Sequence, residues 1–230
     1  MAKNGAPPRR TQAQRREQAE SALLDAAVNL IATKGLDGFT LNEVGEAAGY
    51  SRGLPVHYFG TKDRLLGLVA EHLVGTYVQA RDSDASSPPG LPRLLRTIHD
   101  YCTMPMSSRT LALRILMANA AVHPALTPVA KGLNASGLKW IQDEIKAGIV
   151  AGNVRKTADT AVAATMVYSF MRGLRGFQPL VQGLDPAAVA AEFNAALSAH
   201  LSPVPPATRK PAARAATPSR SLSKRKTPVR

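Results

Sequence analysis

The sequence predicts an all-α protein. It places a three-helix helix-turn-helix domain at the amino-terminal end and a larger helical body behind it, about nine helices in total. Three observations predict this. Apolar residues recur at helical spacing through most of residues 11–201. No sustained period-two alternation occurs, and no hairpin dipeptide sits between apolar runs. The stretch Thr40–Lys62, TLNEVGEAAGYSRGLPVHYFGTK, carries two short helix signals split by a glycine break, with a third helix start close behind. In that layout the second helix can lie in the major groove of DNA.

The elements follow in order. Residues 1–10 read as a disordered lead with Pro7, Pro8, Arg9 and Arg10 together. Thr11 and Gln14 have capping-box spacing, and a first helix runs from there to about Lys34. Leu23, Ala26, Ala27, Leu30 and Ile31 share one face, and Gly35 ends the helix. The second helix starts at Thr40, with Glu43 completing a capping box and Phe39 and Val44 placed as its hydrophobic staple. Gly49 stops it. Ser51 is expected to cap the third helix and Thr61 the fourth, which runs from Lys62 to about Arg81. Residues 82–92 read as a loop. Further helices are expected at Leu91–Thr103, Ser107–Ala121, Thr127–Ala151, Thr157–Phe177 and Pro186–Leu201. Asp185 caps the last of these, with Pro186 at its first position. The segment 202–230 is Pro, Ala, Ser, Thr and basic residues and is expected to be disordered. The expected division is a reading domain at 11–60, a body at 61–201, and a basic tail.

Charge narrows the function. The 230-residue chain has a formal net charge of +13, and residues 202–230 supply eight basic and no acidic groups. Such a balance favours polyanions, either nucleic acid or an anionic surface. No apolar run approaches the roughly 18–20 residues that span a bilayer, and no apolar segment follows the basic start as in a secretory signal. The single Cys102 excludes an internal disulfide framework and a cysteine-based zinc site, and reads as a small buried hydrophobe. No cofactor is implied, and a cytoplasmic protein is the expectation.

A reading helix needs an apolar inner face and an outer face rich in donors. Phe59, with Pro55 one turn earlier, supplies the anchor. Arg52, His57, Tyr58 and Lys62 supply donors, Gly53 lets the helix approach a duplex, and Ser51 and Thr61 offer hydroxyls to phosphate.

These residues resemble the DNA-binding signature of the tetracycline-repressor-like (TetR) family of bacterial regulators. The match runs through Thr40, Val44, Ala47-Ala48-Gly49, Ser51-Arg52-Gly53, Tyr58-Phe59, Lys62 and Leu65-Leu66, and includes Ala26, Leu30 and Gly35–Thr40 of the first helix. A weaker match lies at Ile145–Gly173, through Ala147-Gly148, Gly152–Arg155, Asp159 and Gly173. The resemblance implies a homodimer whose first three helices bind DNA and whose body holds an effector. By family position the contacts fall on Asn42, Arg52, Gly53, Val56, His57, Tyr58 and Lys62, with Thr40 and Ser51 beside them. Three positions depart from the commonest pattern. Gly45 stands where Ala is usual, which should loosen the second helix by about 1 kcal/mol. Val56 replaces a Tyr that often donates to phosphate. Pro55 lies within the reading helix and lacks the N–H that would bond back to Ser51, so the helix starts late or tightly wound.

In the body, Val162, Met166, Phe170 and Leu174 form one stripe and Val189, Phe193, Ala196 and Leu197 another. Two such helices from each subunit would make a four-helix dimer interface, with Val162, Met166, Phe170, Val189, Phe193 and Leu197 as its expected core. Tyr101, Met104, Met106, Met117, Trp140, Phe170 and Met171 are the candidates for an effector pocket, because soft and aromatic side chains adapt to irregular ligands. His99 and His123 could orient a polar ligand group. No charged cluster is visible that would suggest a phosphate or metal site, so the expected effector is small and mostly apolar. The resulting reading is a ligand-responsive transcriptional repressor on a pseudo-palindromic operator. One alternative is an architectural protein that coats DNA nonspecifically. An enzyme on a helical bundle ranks last, because no nucleophile–base or carboxylate pair stands at a revealing spacing.

Overall fold

The amino-terminal half of the chain is assembled by short, locally specified helix starts. The computed structural model describes residues 11–83 and 86–203. The lead 1–10 and the tail from residue 204 onward lie outside the described residues. Among the described residues are nine α-helices and no strand: α1 Gln12–Lys34, α2 Leu41–Ala47, α3 Leu54–Phe59, α4 Lys62–Asp82, α5 Leu91–Thr103, α6 Ser108–Asn119, α7 Thr127–Val150, α8 Thr160–Phe177 and α9 Pro186–Leu201. A single 3-10 turn, Gln178–Leu180, follows α8.

Several starts obey the sequence. Thr11 and Gln14 form a reciprocal capping box on α1. Thr40 and Glu43 do the same on α2: the Thr40 N–H donates to Glu43 Oε2 at 2.7 Å, and the Glu43 N–H donates to Thr40 Oγ1. Thr61 caps α4 and Ser107 caps α6 through N–H groups three residues on. Asp159 and Asp185 each accept from two backbone N–H groups at the starts of α8 and α9.

Two starts differ from expectation. Ser51 does not cap the third helix. The N-cap is Gly53, with no side-chain bond, and Pro55 sits at the second helical position. The Ser51 carbonyl instead accepts the Leu54 N–H at 3.1 Å in a turn. Proline tolerates the first turn of a helix but not its interior, so the helix begins just ahead of it. The eighth helix begins at Thr160 and not at Thr157, because the Asp159 carboxylate takes the first free N–H groups.

Two hydrophobic clusters hold these elements. The first joins Leu23, Ile31, Val44, Phe59, Leu65, Val69, Leu116 and Leu126, drawn from α1–α4, α6 and the entry to α7. The second joins Leu94, Ile98, Ile141, Ile145, Val167, Leu197 and Leu201, drawn from α5, α7, α8 and α9. Helix α6 therefore shares a core with the helix-turn-helix, and α1 packs along it. Phe59 is 1% exposed, and burying such a ring stabilises by about 1.5–3 kcal/mol. The second cluster is closed at its edge by Glu144. Its carboxylate is buried, accepts the Gly90 N–H at 2.7 Å, and is forked by Arg93 at 3.0 Å through Nε. No helix among the described residues is long and apolar enough to cross a membrane.

Candidate functional site

Helices α2 and α3 meet unusually closely. A Cβ placed on Gly45 would lie 2.5 Å from the Ser51 carbonyl oxygen and 3.1 Å from Pro55 Cδ. With Pro55 and Phe59 buried behind it, α3 is held from its inner side. Its other side faces solvent: Ser51, Arg52, Gly53, Val56 and His57 are exposed, as are Thr40 and Asn42 at the start of α2.

The polar residues of this surface are not all equally free. Arg52 Nε pairs with Glu46 Oε1 in a short contact between two exposed side chains. Tyr58 is half-buried, meets His57 edge-on, and donates through its hydroxyl to the Arg16 carbonyl at 3.3 Å. Lys62 turns toward the protein, where its ammonium donates to the Phe39 carbonyl at 2.6 Å and lies 4.4 Å from the centre of the Phe39 ring. Lys34 bonds Glu43 at 2.7 Å. That ammonium, followed by the Thr40 N–H and hydroxyl, holds the Glu43 carboxyl down to about 2. The structure thus brings all nine residues expected at a duplex to one end of the molecule, with Lys62 and Tyr58 also engaged in bonds inside it.

A second feature lies in the body. A cavity of about 440 Å³ opens between α4, α6, α7, α8 and the α5–α6 connection. Tyr101, Met104, Met106 and Met171 line it, as expected for candidate effector residues. The other three candidates point elsewhere. Met117 is buried in the head-side core. Trp140 lies against the Arg81 guanidinium, 5.5 Å from it. Phe170 stacks flat on Phe193 with ring centres 3.7 Å apart. Neither His99 nor His123 lines the cavity; His123 Nε2 stands 3.7 Å from Asp63. Cys102 is fully buried, and burial raises its thiol to about 11.

The cavity also holds groups that sequence reasoning passed over. Arg81, Arg114, Arg172 and Arg175 all line it, together with Tyr77 and Tyr168. The sequence shows no charged cluster, yet four arginines from α4, α6 and α8 converge on one space. The only local signal was Arg172 and Arg175, one turn apart on α8 amid apolar residues. Tyr77 and Tyr101 meet edge-on at 6.1 Å. Burial raises the hydroxyls of Tyr77, Tyr101 and Tyr168, so they remain protonated donors at neutral pH. Helix α7 approaches Tyr168 through Gly137, where a Cβ would sit 2.5 Å from the ring.

The expected dimer residues spread over α8 and α9. Val162 and Met166 are 56% and 53% exposed. Phe170, Val189 and Phe193 are half-buried, and Leu197 is buried within the chain's own second core. Around them, Ala161, Thr165 and Ser169 of α8 and Ala188, Ala191, Ala195 and Ala199 of α9 are exposed and small.

Residues 23–69 match the family of bacterial regulatory proteins called tetR. The chain is 45% identical over 60 residues to the HTH-type transcriptional regulator CymR of Pseudomonas putida, a match that covers 26% of this chain and 30% of that one. The chain thus spans about a third of the length of that curated relative. Two solved structures share the fold over most of the chain. A transcriptional regulator from Saccharomonospora viridis in complex with choline aligns with a TM-score of 0.73 at 18% identity, covering 82% of this chain and all of the other. The transcriptional regulator FadR from Bacillus subtilis in complex with stearoyl-CoA aligns with a TM-score of 0.62 at 17% identity, covering 79% and 99%.

Proposed function

We propose that the chain, whose residues 23–69 match the tetR family of bacterial regulatory proteins, is a ligand-responsive transcriptional repressor of the cytoplasm. It binds a pseudo-palindromic operator as a homodimer. The observation that carries this reading is the exposed Arg52–His57 side of α3, held from behind by buried Phe59 and Pro55. Residues 11–60 form the reading unit and 61–201 the effector and dimer unit.

Arg52 and His57 read or grip the duplex, with Thr40, Asn42, Ser51 and Tyr58 around them. Gly53 lets the backbone come close, and Val56 offers an apolar contact. Lys62 can serve twice, since an ammonium has three donors and Phe39 takes one of them. One short helix makes few base contacts. Two related by a dyad can engage half-sites about 34–36 Å apart. The exposed Val162 and Met166, set among small residues on α8 and α9, suit a four-helix interface between subunits.

Helices α4 and α6 connect the two ends. Lys62 starts α4 beside the head, and Tyr77 and Arg81 end it at the cavity. Its 21 residues span about 32 Å. On α6, Leu113 and Arg114 face the cavity while Ala112 and Leu116 pack in the head-side core. Arg109 of α6 also bonds Asp25 of α1 at 3.0 Å. An effector that fits one placement of α4 and α6 better than another shifts the spacing of the two heads, and so the operator affinity. The basic tail adds sequence-independent attraction to phosphate.

Selection of bound duplexes from a random pool, with full-length protein at physiological salt, tests this. An inverted repeat is the expected product. Recovery of unrelated sequences would replace a regulator with a nonspecific DNA coat. A chain ending at Leu201 that keeps the full salt slope would remove the tail from the interface.

A further inference from the structure

We propose that the body cavity selects an organic anion: a small molecule with one carboxylate on an apolar frame. The proposal rests on the regulator reading and names the chemical class of its effector.

The argument begins with Arg175. Glu144 and Arg175 are charged residues that are buried as whole residues, and the Arg81 side chain is 7% exposed. Glu144 has the Arg93 guanidinium as its counter-ion. Arg175 has none. Its Nη1 donates to the Met104 carbonyl at 2.8 Å and to Gln178 Oε1 at 3.1 Å, both neutral acceptors. A guanidinium has five donors, and a buried charge without an opposite partner is costly to hold. Arg175 lines the cavity.

Its neighbours repeat the pattern. Arg172 lies one turn earlier, beside Tyr101. Arg114 comes across from α6 and donates to the Arg175 carbonyl at 3.4 Å. Neither has a carboxylate partner among the described residues. Arg81 is the exception, paired with Asp82 and donating to Ser136. Among the described residues no Asp or Glu lines the cavity. The lining therefore carries three cations without anions, beside the Tyr77 and Tyr101 hydroxyls, which can donate as well; the Tyr168 hydroxyl already donates to Asn134 Oδ1 at 2.8 Å. An entering carboxylate would accept a forked pair from a guanidinium and relieve repulsion among the arginines.

The apolar part of the lining sets the rest of the ligand. Met104, Met106, Met171, Leu113 and Leu133 present only apolar or soft surface. A cavity of about 440 Å³ is toward the small end for ligand sites. A multiply charged phosphate ester would leave that apolar surface unfilled, and a quaternary ammonium would meet four like charges. A carboxylate on a short aliphatic or aryl-alkyl frame satisfies both the basic and the apolar lining.

The test uses full-length protein and matched probes: octanoate against octanamide, and 4-phenylbutanoate against 4-phenylbutanamide. Each pair differs in charge and hardly in shape. Calorimetric titration should show each acid binding about tenfold or more tightly than its amide. Arg172→Gln should abolish that preference and Arg172→Lys should restore part of it, with the melting temperature of the unliganded protein unchanged in both. Arg172 is the residue of choice because Arg175 also ties down Met104. Equal binding of acid and amide, or no binding by either acid, overturns the proposal. So does an Arg172→Gln variant that keeps full preference. Protein that fails here yet still selects an inverted repeat retains the regulator reading and loses only the ligand class.

Discussion

Gly45 and Pro55 pack so tightly that a methyl group on the first would touch the ring of the second at 3.1 Å and the Ser51 carbonyl oxygen at 2.5 Å. Two of the three unusual residues of the helix-turn-helix therefore meet in one contact. The missing side chain on α2 leaves room for the Ser51 carbonyl and the Pro55 ring.

This reverses the expectation from helix propensity. Gly45→Ala gains about 1 kcal/mol of helix propensity. It also drives a Cβ into backbone, which cannot rotate away, and overpacking of this kind costs about 1–3 kcal/mol. The cost should win, because the clash is with a main-chain oxygen and not with a flexible side-chain end. Thermal unfolding should show a lower melting temperature for Gly45→Ala. A higher one would mean that the turn moves freely.

Lys62 should have two separable effects. Its ammonium ties the start of α4 to the Phe39 carbonyl, and its remaining donors can reach a phosphate. Lys62→Met should lower the melting temperature and also reduce the salt slope of operator binding by about one unit. A variant with reduced stability and an unchanged slope would confine Lys62 to holding the head together.

Much of the fold was legible because its signals are local. The Thr11–Gln14 and Thr40–Glu43 boxes need only three residues of separation to be read, and both form. Ser51 misled because a serine after a glycine break reads as a cap, while the proline four residues on governs where the helix can begin. The body cavity was half legible. Residue type picked out Tyr101, Met104, Met106 and Met171, but it does not say which way a side chain points. Met117, Trp140 and Phe170 satisfied the same criterion and face other surroundings. The arginines were invisible for a different reason. Arg81, Arg114 and Arg172 are far apart in sequence, and only the packing of α4, α6 and α8 brings them together.

The α2 capping box should leave a mark on acid stability. In the folded protein the Glu43 carboxyl is held down to about 2, against 4.5 when unperturbed, chiefly by Lys34. A depressed folded value means the contribution is complete above about 4.5 and is lost as pH falls toward 2. Glu43→Gln should therefore flatten the stability profile over that window while changing its shape little at neutral pH. Superimposable acid limbs for the two proteins would show that Lys34 and Glu43 are uncoupled in solution.

The Arg93–Glu144 pair should behave quite differently, because its carboxylate is buried and Arg93 is only partly exposed. Glu144→Ala leaves Arg93 without a counter-ion and the Gly90 N–H without an acceptor. Breaking such a pair typically costs about 3–5 kcal/mol. Denaturant unfolding should show a large fall in midpoint. A loss below about 1 kcal/mol would place the pair with exposed ones, which contribute little.

Glu46 should act as a brake on DNA binding. It pairs with Arg52 on the surface expected to meet the duplex, and both side chains are well exposed. An exposed pair of this sort is worth about 0–1 kcal/mol, so a phosphate can displace it, but the displacement is not free. Glu46 also sets a negative charge near phosphates. Glu46→Gln removes both penalties, and operator affinity should rise about two- to fivefold, most visibly at low salt where exposed charges are least screened. The fold should be unaffected, since Glu46 is not part of either core. A fall in affinity would reverse the role. It would mean that Glu46 holds Arg52 in the orientation from which it reads a base, and the loss would then be greatest on the selected sequence and small on random DNA.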